Sequence, residues 1–248
     1  MTPVLSVHNL NKRFGSVVAA NDISIDVGAG ERLCLIGANG AGKTSFVNMV
    51  TGYLTPNSGR ILYRGQDITR LGPREVANIG MCRSFQIPLL CAELTAFENM
   101  LVALAAARPR PACWRSARAA RPAAAAHAAL ARFAIGDHAD RAVSTLPGGV
   151  RKLLDIAMAT VRDPGLLMLD EPTSGVAGDH KFETMDRVME AMSGQDTTVI
   201  FVEHDMEIVA RYATRVAAFY EGRIIADGPP AEVLAAGDVR RHVTGGKA

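Results

Sequence analysis

The segment Gly37-Ala38-Asn39-Gly40-Ala41-Gly42-Lys43-Thr44 constrains this chain more than any other. It satisfies the pattern G-x-x-x-x-G-K-[ST]. The short apolar run Arg32-Leu33-Cys34-Leu35-Ile36 precedes it, and the spacing of Thr44–Thr51 after it predicts a helix. A strand that feeds a glycine-rich loop and then a helix lets consecutive backbone N–H groups wrap phosphate oxygens at the positive end of a helix dipole. Lys43 can neutralise charge on β- and γ-phosphates, and the Thr44 hydroxyl can ligate Mg²⁺. An ordinary glycine-rich turn would leave a Lys-Thr pair at the opening of a helix unexplained, so the expectation is binding of ATP or GTP.

At 248 residues the chain is large for one simple domain, which favours one large α/β domain or a core with a subdomain. Hydrophobic residues at 48% and charged residues at 21% exclude a mainly disordered chain. With 27 basic and 25 acidic residues the net charge is +2, too balanced to select nucleic acid or anionic lipid as partner. The cysteines Cys34, Cys82, Cys91 and Cys113 form no C-x-x-C pair and no zinc spacing, so a reducing cytosol is expected. No apolar run reaches the roughly 18 residues of a membrane helix. The start of the chain does not read as a signal peptide.

Two alternating segments, Val4–Leu10 and Asp22–Val27, predict an antiparallel β start, with Asn11 to Gly15 read as the turn between them. Arg60–Tyr63, Gly80–Ser84, Leu166–Leu169, Thr197–Val202, Arg215–Tyr220 and Arg223–Ala226 are further strand candidates. Several alternate with helical stretches, which predicts a largely parallel sheet covered by helices. Between Glu98 and Asp137 there is no acidic residue, and Ala and Arg dominate. Residues 87–163 are therefore read as a helical subdomain. The series Arg108, Arg110, Arg115, Arg118 and Arg121 is read as solvated surface in preference to a nucleic-acid or lipid-headgroup patch. After Gly228-Pro229-Pro230 a short helical tail is expected, and it is read as frayed.

Leu166-Leu167-Met168-Leu169-Asp170-Glu171 is an apolar run ending in two carboxylates, as in a buried strand whose tip reaches a catalytic centre. Alone it could equally precede a helix begun at Pro172. Beside a phosphate loop, Asp170 is expected to serve Mg²⁺ and Glu171 to polarise an attacking water.

The phosphate loop, Gln86, Leu146-Pro147-Gly148-Gly149, Leu169-Asp170-Glu171-Pro172 and His204 occur in the order seen in ABC-type ATPases. From Val4 to about Leu234 the chain resembles an ABC nucleotide-binding domain. The resemblance implies an α/β P-loop NTPase fold with an antiparallel β subdomain and a helical subdomain. Residues 1–86 would form the β subdomain and the first part of a RecA-like core, 87–163 the helical subdomain with the signature motif, 164–230 the rest of the core and 231–248 the tail.

The same resemblance implies that Phe14 stacks on adenine and that Asn39, Gly40, Ala41, Gly42, Lys43, Thr44 and Ser45 hold the phosphates. Gly148 and Gly149 would grip a γ-phosphate across a dimer. Thr44, Gln86 and Asp170 would serve the metal, and Glu171, Gln86 and His204 catalysis. Pro147 stands where the signature usually has Ser and brings neither hydroxyl nor N–H; Ala177 stands where Asp is common.

Arg83-Ser84-Phe85-Gln86, Glu171 to Val176 and Val202-Glu203-His204-Asp205-Met206 further resemble the ATPases of branched-chain amino acid importers, a group that includes amide and urea importers. This implies ATP and Mg²⁺ as cofactors. It also implies two membrane permeases and a second ATPase subunit, like or unlike, as partners, with a soluble substrate-binding protein engaged indirectly. The expected location is peripheral, on the cytoplasmic face of the inner membrane, and Ile87-Pro88-Leu89-Leu90 with Phe97 would meet the permease. Nucleic acid is not expected. A soluble ABC ATPase and a non-hydrolysing subunit are the rival readings; a P-loop kinase or GTPase is disfavoured because no N-K-x-D motif occurs and the signature would be left unexplained.

Overall fold

The computed structural model describes residues 2–107, 120–178, 180–193, 196–243 and 245. The Arg-rich stretch from Arg108 to Arg118 and Cys113 lie outside them. The chain divides into two compact units, one of Met1–Cys82, Gly165–Asp170 and Asp196–Ala248, the other of Arg83–Pro164 and Glu171–Gln195. The sequence reading kept everything from 164 to 230 with the core. In the structure the chain leaves the first unit directly after Asp170 and returns at Asp196, because the helix within that excursion packs in the second unit.

The first unit opens with an antiparallel hairpin, β1 (Leu5–Phe14) and β2 (Val17–Val27), joined by a two-residue loop. Phe14 pairs with Val17 and Gly15 sits at φ 58, the positive dihedral such a tight hairpin demands. Asn11 to Phe14 are therefore strand and not turn. The polar stretch stays in the ladder through register shifts after Val7 and Leu10, where Asn9 and Asp22 take left-handed backbone. Side chains satisfy the displaced groups: Asn9 N donates to Ser24 Oγ at 2.9 Å, and Asp22 N to Asn11 Oδ1 at 2.9 Å. With β4 (Ser58–Tyr63) and β5 (Gln66–Asp67) the hairpin forms a sheet in the order β2-β1-β4-β5, where β3 is Arg32–Gly37 of the other sheet.

The other sheet has six strands, adding to β3 the strands β6 (Met81–Ser84), β7 (Leu166–Asp170), β8 (Thr198–Val202), β9 (Arg215–Tyr220) and β10 (Arg223–Gly228). Their order is β10-β9-β3-β8-β7-β6; β9 with β3, β3 with β8 and β8 with β7 pair in parallel, and β10 is antiparallel to β9. The helix α1 (Lys43–Val50) contributes Phe46, Val47, Met49 and Val50 to a core shared with Leu5, Val7, Leu33, Leu35 and Phe219. The Phe46 and Phe219 rings meet at 5.5 Å. The short helix α2 (Pro73–Asn78) adds Val76 to this core.

The second unit is helical: α3 (Ala96–Ala106), α4 (Ala120–Arg132), α5 (Gly148–Ala159) and α6 (His180–Met192), with single 3₁₀ turns at Gly136–His138 and Val143–Thr145. Thr95 opens α3 with a reciprocal cap: its Oγ accepts from Glu98 N at 3.1 Å while Glu98 Oε2 accepts from Thr95 N at 2.8 Å. α3 packs on α4 and α5, and α5 on α6, burying Met100, Leu130, Phe133, Leu154, Ile156 and Val188.

The first unit is completed by α7 (Met206–Tyr212), α8 (Pro230–Ala235) and α9 (Gly237–His242). Through His242 the tail is docked, not frayed: Val233 and Val239 are buried, and the His242 ring lies 4.2 Å from that of Tyr220. Two apolar residues six apart on consecutive short helices supply the anchor that the polar composition of 237–242 conceals.

Candidate functional site

In the first unit the carboxyl ends of three adjacent parallel strands share one edge of the sheet. Leu35 of β3 pairs with Val202 of β8, and Val202 pairs with Asp170 of β7. The phosphate loop after β3, the Asp170 carboxylate and the Glu203-His204 pair therefore emerge together, at the edge where open α/β sheets bind ligands. Asp170 and Glu203 are buried, while His204 is exposed.

The loop is built for close backbone approach. A Cβ at Gly42 would lie 2.4 Å from Ala19 O, and one at Gly37 2.5 Å from Phe219 O; Gly42 also sits at φ 107. Only glycine fits either place. Ala41 is clamped by its own N–H to Ala38 O at 3.1 Å and by Gly222 N donating to its carbonyl at 3.0 Å. Asn39 and Gly40 form the exposed crown of the loop. Lys43, Thr44 and Ser45 are the first turn of α1. The buried Lys43 ammonium donates to Gly37 O at 2.6 Å and Ala38 O at 3.1 Å, so its charge is held under the loop. A cradle closed to any Cβ, with an ammonium beneath it and a hydroxyl on the first turn, fits a nucleotide phosphate and its cation.

Phe14 closes β1 with 49% of its surface exposed, and Lys12 Nζ lies 5.3 Å from its ring centre. A Phe that served the core would be covered; this one presents a face. Beside the phosphate loop, burial pushes the Cys34 thiol well up, the Glu203 carboxylate adding to the effect. Cys34 is thus a neutral core residue.

In the second unit Gln86 Nε2 donates to Glu171 Oε2 at 2.7 Å, bringing together two side chains that are 85 positions apart. Glu171 has φ 46, a left-handed backbone uncommon for a residue with a long side chain. The conformation costs about 1–2 kcal/mol and turns the chain sharply after β7. Such an outlier at a candidate water-activating carboxylate points to function. Gly148 and Gly149 are the first residues of α5, with Pro147 as N-cap in extended backbone and no side-chain cap. Ala177 is exposed.

The sequence reading missed three buried polar residues of the second unit. Lys152 Nζ donates to Phe85 O at 2.7 Å, Asp155 accepts from Phe85 N and Leu89 N at 3.3 and 3.4 Å, and Asn99 holds both polar groups of Cys91. A signal was present: Lys152 and Asp155 stand three apart in a helix otherwise lined by Leu153, Leu154, Ile156 and Ala157. Among the described residues no group of His, Cys, Asp and Glu forms a self-contained metal site, and no helix is long and apolar enough to cross a membrane.

Residues 20–174 match the family model described as ABC transporter. The chain is 34% identical to the high-affinity branched-chain amino acid transport ATP-binding protein LivG of Escherichia coli, over 98% of each chain. It is 33% identical to the corresponding protein BraF of Pseudomonas aeruginosa, again over 98% of each. Among solved structures it is similar to a nucleotide-free ATP-binding cassette from an ABC transporter, with TM-score 0.86 and 28% identity over 96% of this chain and 97% of the other. It is also similar to the ADP conformation of an ATP-binding cassette, with TM-score 0.86 and 29% identity over 97% and 98%. A phosphate cradle at the edge of a mixed sheet, a held Gln–Glu pair and a match over more than half of the chain agree: this chain belongs to the ABC transporter family.

Proposed function

We propose that the chain is the ATP-hydrolysing subunit of an importer for branched-chain or other hydrophobic amino acids. The observation that carries the hydrolytic part is Glu171, set in a left-handed turn directly after Asp170 and held by Gln86. The cargo class rests on the relatives' named transport activity. An amide or urea importer is the second reading, since the same sequence motifs resemble that group.

In this reading Phe14 stacks on adenine, and the backbone from Asn39 to Gly42 with Lys43, Thr44 and Ser45 holds the phosphates. Thr44 and Asp170 hold Mg²⁺, which supplies charge neutralisation on the phosphate oxygens. Glu171 accepts the proton of the attacking water, and Gln86, which the resemblance places on the metal or that water, orients the carboxylate. His204 senses the γ-phosphate. The N–H groups of Gly148 and Gly149 grip the nucleotide of a second ATPase subunit, like or unlike. Pro147 offers no N–H there, a loss of about 1.5–3 kcal/mol in the closed pair.

Partner docking belongs to the loop after Gln86. Ile87 and Leu89 are 77% and 67% exposed although the loop backbone is tied down by Lys152, Asp155 and Asn99. Beside them runs a groove of about 410 Å³ lined by Ile87, Pro88, Leu90, Val143 and Arg151 among others. Apolar side chains displayed on a rigid backbone suit a permease segment. The subunit would work peripherally on the cytoplasmic face of the membrane, beside two permeases, with a soluble binding protein delivering cargo.

The test is turnover and recovery together. Glu171→Gln is expected to bind ATP as the wild type does, to lose at least 100-fold in hydrolysis, and to co-purify with two multi-span permeases from detergent-solubilised membranes in ATP. Undiminished hydrolysis would refute the role of Glu171, and recovery of ribosomal or DNA-repair proteins alone would refute the importer.

A further inference from the structure

α5 begins at Gly148 and Gly149 and, one turn on, sends Lys152 and Asp155 from one face into the second unit's interior, where they are 1% and 7% exposed. Both meet the same short loop. Lys152 Nζ donates to Phe85 O at 2.7 Å and Gln86 O at 3.4 Å, while Asp155 takes the N–H groups of Phe85 at 3.3 Å and Leu89 at 3.4 Å. Phe85 is thus gripped by its carbonyl and its N–H, and the backbone of Gln86 is held between. The next link is the bond from Gln86 Nε2 to Glu171 Oε2 at 2.7 Å.

Stability does not explain this arrangement. Burying an ammonium and a carboxylate costs several kcal/mol, and apolar residues of similar volume commonly stabilise a fold as well or better. What an apolar pair cannot do is hold backbone N–H and C=O groups of a loop with directional bonds. A misplacement of about 1 Å at a reacting group costs about 100-fold in rate.

We propose that Lys152 and Asp155 are positioning residues for hydrolysis, a clamp from the signature helix that fixes the backbone of Gln86 and through it the Glu171 carboxylate. The proposal rests on the reading of Glu171 as the water-activating group. It makes α5 a shared part: its first residues face a nucleotide and its second turn sets the hydrolytic pair.

The clamp is tested by a mutant cycle on the full chain. Lys152→Met and the doubly neutral Lys152→Met/Asp155→Leu, which leaves no unpaired buried charge, are each made alone and with Gln86→Ala. ATP affinity, kcat and the melting temperature are measured for all. Alone, each is expected to lower kcat about 10- to 100-fold with ATP affinity within about twofold, and Lys152→Arg is expected to restore most of the rate. With Gln86→Ala already present, no further loss is expected, because the clamp acts through that residue. Losses of equal factor in both backgrounds, or an unchanged kcat in a folded variant, would overturn it. Wild-type turnover by Glu171→Gln would instead remove the underlying reading, so the two failures are told apart.

Discussion

Among single residues Asp155 carries the most distinctive signature. Burial pushes its carboxyl from the ordinary 3.8 up to about 6, against the pull of the Lys152 ammonium on its own helix and of the Leu89 and Phe85 N–H groups from the loop. Because the folded value is the higher one, the native state holds an extra proton between the two. The stabilisation is complete below about pH 4 and is lost as the pH rises through about 6. A rise from 3.8 to about 6 corresponds to about 3 kcal/mol. Asp155→Asn carries no such titration, so its unfolding free energy is expected to gain about 2–3 kcal/mol on the wild type between about pH 4 and pH 7, read from urea midpoints. A difference independent of pH would show that the carboxyl does not titrate in this range. Other residues were legible earlier: the phosphate loop could be read because each position has its own steric or charge requirement, as Gly42 against Ala19 O illustrates. Asp155 was not, because nothing local to α5 says which loop it meets 66 positions away.

At the level of elements, the buried strands were read from the sequence and the polar end of β1 was not. Leu166–Asp170 and Thr198–Val202 are continuous apolar runs because both faces of the sheet are covered. Asn11 to Phe14 looked like a turn because the stretch is polar and runs from Asn to Gly15, but Lys12, Arg13 and Phe14 pair with Ala20, Val18 and Val17 in a bulged register and Asn11 Oδ1 accepts from Asp22 N, which keeps them in β1. The tail shows the same limit. α9 is mostly polar, yet Val239 is fully buried and the His242 ring lies tilted against that of Tyr220. Ending the chain after Ala236 removes a buried Val, worth about 1.5 kcal/mol or more, and a ring contact worth about 0.5–1.5 kcal/mol. A loss of roughly 2–3 kcal/mol in stability is expected by urea unfolding, and a truncated chain as stable as the full one would show that the α9 contact contributes nothing.

Across the whole molecule the second excursion of the chain, after Asp170, was not legible from composition, since Asp170 and Glu171 are neighbours in a single motif and belong to different units. In the proposed reading the phosphates and their cation are held by the first unit, on β3, α1, β7 and the turn after β8, and ligand binding would act on stability through that unit. A ligand that binds only the folded state stabilises it by about 2.7 kcal/mol at 100 times its dissociation constant. For a chain of this size each kcal/mol moves the melting temperature by about 2–4 °C. ATP with Mg²⁺ at that excess is therefore expected to raise the melting temperature of the wild type by roughly 5–10 °C, and of Glu171→Gln equally, because in the proposed reading Glu171 acts on water and not on affinity. Lys43→Ala removes the ammonium under the loop, a charged hydrogen-bonding group worth about 1.5–3 kcal/mol. At the same ATP concentration most of its shift should disappear. Calorimetric scans of the three chains with and without nucleotide make the comparison. A shift in Lys43→Ala as large as in the wild type would mean that ATP is held elsewhere, and the absence of a shift in Glu171→Gln would place that residue in binding instead of hydrolysis.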